Sequence, residues 1–335
     1  MRKSFLTPFR LYLCVAPLLG CNPERLSHHH EELHSKVHQF YQDAFDGFES
    51  EIEGSAKLIE RCLDSKSRCS ANGSAPDQLS SLYVPDFSPK GSVLQRFKQI
   101  STPLEASWDA FLRAHPYISW FYVLDVLSGA LRISPATPTD MTFGKSMDFK
   151  TFEFYESATR EYPKVAWQKK TKEDMSGTGL ILMASKAVKN LRGQVSHVIS
   201  GDVKVSFMSK SVQPLFDEFV SRSRSKGFHF FAYLKPEHGL RSQISEYASD
   251  QAEWLSIKSF SNNGDEFLHV TPVVQAKLLS IEDRATALAN QAVQETLPGY
   301  AASFVTGRVH LGQAPYHCSV SQLKKPQVIL WICSR

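Results

Sequence analysis

Five histidines, His28, His29, His30, His34 and His38, fall within eleven residues near the start of the chain. Among them His30-Glu31-Glu32-Leu33-His34 spells His-Glu-x-x-His. That spacing sets two imidazoles on one face of a helix beside a glutamate that could act as a base, which is the chemistry of zinc-dependent peptide hydrolysis. The surroundings argue against it. The motif begins nine residues after Cys21, so no strands precede it to build a substrate cleft. An extension to a third histidine needs glycine and histidine where Val37 and Phe40 stand. Glu60 and Asp64 imitate a third-ligand helix but lie far along the same helix, at about 1.5 Å per residue. Incidental metal binding by His30, His34 and His38 is a second reading, and a solvated helix face is the preferred one. No nucleophile elbow, phosphate loop, dinucleotide fingerprint or Cys-x-x-Cys pair occurs elsewhere, so neither an enzyme nor a cofactor is expected.

A second set of residues has the chemistry of recognition. Asp202 closes an apolar, strand-like run, and a carboxylate buried there requires a partner. The bland partner is a backbone amide or a nearby lysine. Trp120, Tyr122, Phe154, Tyr155 and Trp167 could line a pocket, or serve as core, as strand aromatics commonly do. With Arg132 these residues form the candidate ligand-binding set.

The elements that must position them follow from periodicity. Leu33, Val37, Tyr41, Phe45, Phe48, Ile52, Ile59 and Leu63 recur at helical spacing, which predicts one long amphipathic helix from Leu26 to about Leu63. A polar loop follows to Ser80, and a second helix is predicted over Thr102–Ala114, opened by Pro103. Strands are predicted at 117–124, 129–134, 179–187 and 194–205, with a helix at 151–161. A helix at 207–223, a strand at 228–234, a helix at 281–295 and strands at 301–311, 316–323 and 327–333 complete the order. The fold class is α+β: a long N-terminal helix followed by two mixed or antiparallel sheet modules.

The formal charge of +4 resides largely in Arg2, Lys3 and Arg10, within an N-terminal stretch that holds no acid. The remainder is close to neutral and offers no footprint for nucleic acid. Met1–Arg10 reads as a basic leader, Leu11–Leu19 as an apolar stretch too short to span a bilayer, and the segment closes on Leu18-Leu19-Gly20-Cys21. This ending resembles a bacterial lipobox. The resemblance implies that residues 1–20 are a signal peptide and that Cys21 carries lipid, placing the protein in the periplasm or on the cell surface without a transmembrane helix. In an oxidising compartment the remaining Cys62, Cys69, Cys318 and Cys333 are expected to pair 62–69 and 318–333, with free buried thiols as the other reading. The second pair flanks a predicted hairpin whose midpoint lies between residues 325 and 326, which sets the two cysteines opposite each other.

Tyr117-Ile118-Ser119-Trp120-Phe121-Tyr122-Val123-Leu124-Asp125 followed by Gly129-Ala130-Leu131-Arg132-Ile133-Ser134-Pro135 resembles the strand-turn-strand of extracellular Cache sensor domains. Phe152–Ala158 resembles that family's Arg-Pro-Trp-Tyr helix, and Val165–Trp167, Gly179–Val188 and Gly193–Val203 resemble its later strands. The resemblance implies a double Cache architecture. Residues 21–66 would form the anchor and long helix, 67–210 a membrane-distal ligand-binding module and 211–335 a membrane-proximal one.

The resemblance also implies roles. Tyr155 matches the helix tyrosine, and Asp202 the aspartate that pairs with a ligand ammonium. Phe154 stands where tryptophan is usual, and Phe152 where an arginine clamps a ligand carboxylate. Without that bidentate partner a cationic or uncharged ligand is favoured over a free amino acid. A shifted register, Tyr155-x4-Arg160, would restore an arginine. The implied function is a non-catalytic lipoprotein that binds a small amine, amino acid or related metabolite and reports through a membrane partner such as a sensor kinase or chemoreceptor. The alternatives are a structural or adhesive surface lipoprotein with a degenerate sensor fold and, distantly, the zinc protease.

Overall fold

The computed structural model describes residues 23–64, 79–89, 91–137, 146–168, 172–174, 179–204, 211–218, 228–234, 253–260, 305–311, 314–323, 325–326 and 328–334. The leader, Cys21, Cys69 and the predicted helix at 281–295 lie outside them.

Helix α1 (Pro23–Asp64) runs unbroken for 42 residues. Leu33, Val37, Tyr41, Phe45, Phe48, Ile52, Ala56 and Ile59 form its buried stripe. Gly47 and Gly54 do not interrupt it. A glycine costs a helix only about 1 kcal/mol, less than the burial of a single large apolar side chain.

Helix α2 (Ser92–Ala114) begins ten residues before the predicted start and carries Pro103 inside it, which corrects the expectation that proline opens the helix. The hydroxyls of Ser101 and Thr102 donate to the carbonyls of Phe97 and Lys98 just before the proline. The apolar face Phe97, Ile100, Leu104 and Trp108 continues across it and is buried. Tertiary packing therefore outweighs the helix-breaking tendency of one residue.

The first sheet contains β1 (Ser81–Tyr83), β2 (Ile118–Asp125), β3 (Leu131–Ser134), β4 (Ala166–Trp167), β5 (Lys172–Glu173), β6 (Leu180–Lys189) and β7 (Val195–Lys204). Its order is β1-β3-β2-β7-β6-β4, with β5 also on β6, and every pairing is antiparallel. The strands alternate between two cores, as a period of two requires. Phe121, Val123, Leu182, Ala184 and Val203 pack with α1 and α2. Tyr122, Leu124, Leu131, Ile133 and Val198 pack on the other face with Phe149 of a 3₁₀ turn and with Phe154 and Ala158 of α3 (Glu153–Arg160).

A short helix, α4, spans 211–218 and leads to the second sheet. Its strands are β8 (Phe228–Leu234), β9 (Glu253–Phe260), β10 (Val305–Leu311), β11 (Ala314–Gln322) and β12 (Val328–Ser334), ordered β10-β11-β12-β8-β9 and antiparallel. β9 was not foreseen from periodicity. Cys318 and Cys333 are register partners, as the symmetry of the hairpin predicts.

Helix α1 serves both sheets. Its N-terminal half shares a core with Leu323, Val328, Leu330 and Ile332 of the second. This placement corrects the reading of the histidines as a solvated face or a surface metal site: His30 and His34 are buried. Ser319 Oγ sits 2.8 Å from His30 Nε2 and 2.5 Å from His34 Nδ1, and Ser321 Oγ sits 2.6 Å from His34 Nε2 and 2.9 Å from His38 Nδ1. Imidazole and hydroxyl alternate along the seam, each able to donate once and accept once. Among the described residues no group of three or more histidine, cysteine or acidic side chains is arranged to hold a metal ion, and no helix is long and apolar enough to cross a membrane.

Candidate ligand-binding site

Strand register builds one row of side chains across the first sheet. Trp120 on β2 pairs with Asp202 on β7, and Asp202 pairs with Met183 on β6. Just beyond β4, the Gln168 N–H donates to the Met183 carbonyl at 2.9 Å. Trp120, Asp202, Met183 and Gln168 thus lie side by side on the face that packs against α3, and Tyr122, two residues from Trp120, joins them.

Tyr122, Asp202 and Gln168 in this row are buried polar groups, and Trp120 and Met183 are half-buried. Tyr122 Oη lies 2.9 Å from Met183 Sδ and donates to Asp202 Oδ1 at 3.2 Å. Trp120 Nε1 donates to Asp174 Oδ2 at 3.0 Å. Asp202 is 4% exposed and Asp174 6%. Burial, and next the negative charge of Asp174, push the Asp202 carboxyl well above the usual carboxylate range, although the Tyr122 hydrogen bond opposes the rise. Burial and then Asp202 raise Tyr122 in turn. Among the described residues no lysine, arginine or histidine pairs with Asp202.

Aromatic rings complete one wall. Tyr122 meets Phe154 edge-on at 5.2 Å, Phe154 is followed by Phe152 at 6.2 Å, and Phe152 by Phe149 at 5.4 Å. Trp120 and Tyr155 pack against the same cluster. Two carboxylates, a phenol and an indole thus lie beside an apolar wall.

Of the candidate residues, Trp120, Tyr122, Phe154, Tyr155 and Asp202 share this face. Two do not. Trp167 points to the α1 side, where its Nε1 donates to Glu49 Oε2 at 3.1 Å and its ring packs on Phe45 and Phe48. Arg132, flanked on β3 by the core residues Leu131 and Ile133, faces α2. It pairs with Glu105 and donates to Ser101 Oγ at 2.8 Å and Ser80 Oγ at 2.9 Å, so it holds helix to sheet. The phenol on Asp202 is that of Tyr122 rather than Tyr155. Arg160 is 60% exposed and pairs with Glu161, so the shifted register supplies no buried clamp.

Sequence reasoning missed Asp174, Met183 and Gln168. For Gln168 the signal was present: a residue next to Trp167 in an extended segment faces the opposite side. Asp174 lies in a polar stretch indistinguishable from a loop.

No family model and no curated protein matches the chain. Among solved structures it is similar to the ligand-binding domain of the Pseudomonas aeruginosa PAO1 amino acid chemoreceptor PctC in complex with GABA. That likeness has 15% identity and a TM-score of 0.47, covering 93% of this chain and 99% of the other. It is similar to the sensory domain of the Campylobacter jejuni chemoreceptor Tlp3 with isoleucine bound, at 10% identity and a TM-score of 0.47, covering 93% and 92%. It is also similar to the ligand-binding domain of the Pseudomonas fluorescens chemoreceptor CtaA in complex with L-isoleucine, at 13% identity and a TM-score of 0.41, covering 93% of each chain. Identities at this level carry no residue roles across.

Proposed function

We propose that this protein is an exported, lipid-anchored sensor that binds a small organic ammonium on the α3 face of its first sheet and reports occupancy to a membrane partner. The observation that carries the reading is Asp202. A carboxylate held at 4% exposure beside a second carboxylate, with one phenol as its hydrogen-bond donor, weakens the empty fold. A bound ammonium would relieve both the burial and the repulsion. Phe152, in place of a cation, supplies no partner for a ligand carboxylate, which favours an amine over a free amino acid.

The modules of this reading are 67–210 and 211–335, with disulfides at 62–69 and 318–333. Cys62 is buried near the end of α1, and Cys318 faces Cys333 in register. Lipid at Cys21 is supported by the leader alone. Glu49 of α1 suggests a route between modules: it accepts from Trp167 next to Gln168, and from Lys325 of the second module at 3.0 Å.

Thermal shift of the full chain against primary amines, amino acids and organic acids tests the reading. Ligand at a hundred times its Kd adds about 2.7 kcal/mol, a clear rise in Tm. Amines are expected to stabilise the wild type and not Asp202→Asn. A shift that survives in Asp202→Asn, or none with any compound, leaves an anchored scaffold. Loss of radiolabelled palmitate incorporation in Cys21→Ala tests the anchor.

A further inference from the structure

Gln168 is 3% exposed, and neither its amide nitrogen nor its amide oxygen has a hydrogen-bond partner. Buried side-chain amides are nearly always satisfied, and leaving both ends open is among the costlier choices a fold can make. The position explains why such a group would persist. Gln168 closes the row that runs through Met183 to Asp202, two strands away, about 10 Å between Cα atoms at the ordinary strand spacing. Its neighbour Trp167 is committed to α1 on the opposite face, so the alternation of the strand turns the Gln168 side chain toward the face that bears Asp202.

We infer that Gln168 is a specificity-determining ligand contact, and that the ligand carries, a few bonds from its ammonium, a group that both donates and accepts hydrogen bonds: a hydroxyl or a carboxamide. The inference rests on the ammonium site at Asp202 and extends it. The amide presents one donor end and one acceptor end. A carboxylate would satisfy only the nitrogen and a second ammonium only the oxygen, while a methyl group would satisfy neither. A hydroxyl or carboxamide satisfies both. Asp202 and Gln168 thereby divide the work, the first selecting charge and the second selecting the far end of the molecule.

The test is isothermal titration of the wild type, Gln168→Met and Asp202→Asn with unbranched primary amines of two to five methylenes. Each chain length ends in hydroxyl, carboxamide, carboxylate, ammonium or methyl. At the best length, the hydroxyl- and carboxamide-ended amines are expected to bind the wild type at least about tenfold more tightly than the methyl-ended one. Gln168→Met, which keeps the length of the side chain, is expected to erase that advantage. It is also expected to raise the Tm of the empty protein, because an unsatisfied amide is removed, and this readout shows that the variant folds. Equal binding of methyl- and hydroxyl-ended amines, or a preference that survives in Gln168→Met, overturns the inference while leaving the ammonium site standing. Amine binding that persists in Asp202→Asn, or no binding by any member of the series, removes the ammonium site and the inference with it.

Discussion

Tyr122 donates its phenolic proton to Asp202 at 3.2 Å from a diagonal position across the β2–β7 pair, so the buried carboxylate is held by a neutral donor. A neutral donor orients a carboxylate without neutralising it. On the proposed reading, the neutralising charge would come from a bound ammonium.

Asp202→Asn is expected to abolish amine binding and to raise the Tm of the empty protein by several degrees. The raised carboxyl in the folded state makes its contribution most favourable below the unfolded value near 3.8, and that contribution is lost as pH rises through the folded value. The stability gap between Asn and wild type should accordingly widen from acid toward neutral pH. Denaturant midpoints across that range measure it, and a gap that is flat or narrows contradicts the assignment.

Ligand binding should release a proton wherever the empty site still holds one. An ammonium favours the ionised carboxylate, so affinity should rise with pH until Asp202 is ionised in the empty protein. Titrating the same amine in two buffers of different ionisation enthalpy reads the proton directly. Identical heats in both would show that Asp202 is already charged.

The histidine seam should weaken in acid. Burial, then the neighbouring His30 and His38, hold His34 well below the ordinary value of 6.5. A depressed base contributes stability above its unfolded value, and that contribution is lost as pH falls through 6.5 toward the folded value. Ser319 and Ser321 face it from β11 and carry no charge to offset a proton. Denaturation of the wild type is expected to become easier from pH 7 to 5, and less steeply so in His34→Phe.

Gly201 sits beside Asp202 with the opposite orientation. A Cβ there would lie 2.8 Å from the ring of Phe48 on α1 and 2.9 Å from that of Phe121. Gly201→Ala is expected to cost about 1–3 kcal/mol in chemical denaturation through overpacking. Amine affinity of the molecules that remain folded should change little, because the methyl enters the α1 face.

Local pattern already carried much of the architecture. The stripe from Leu33 to Ile59 made α1 legible, and the β-branched and aromatic runs at 118–125 and 195–204, bounded by turn residues, made the central strands so, because both signals lie within one segment. Asp202 was legible for a related reason: a charge in an apolar run is conspicuous wherever the chain goes. Pro103 misled because local propensity is weaker than the packing of Phe97, Leu104 and Trp108 across it.

The amino-acid order by itself determined the long helix, the central strands and the presence of one carboxylate in need of a partner. Only the tertiary structure decided which groups meet that carboxylate. It brought in Tyr122 in place of Tyr155, added Asp174 and Gln168, sent Trp167 and Arg132 to the far side, and turned an exposed-looking run of histidines into a buried seam on β11. Periodicity assigns a side chain to a face. Register between strands far apart in sequence fixes its neighbours, and that register is set by the packing of the whole sheet.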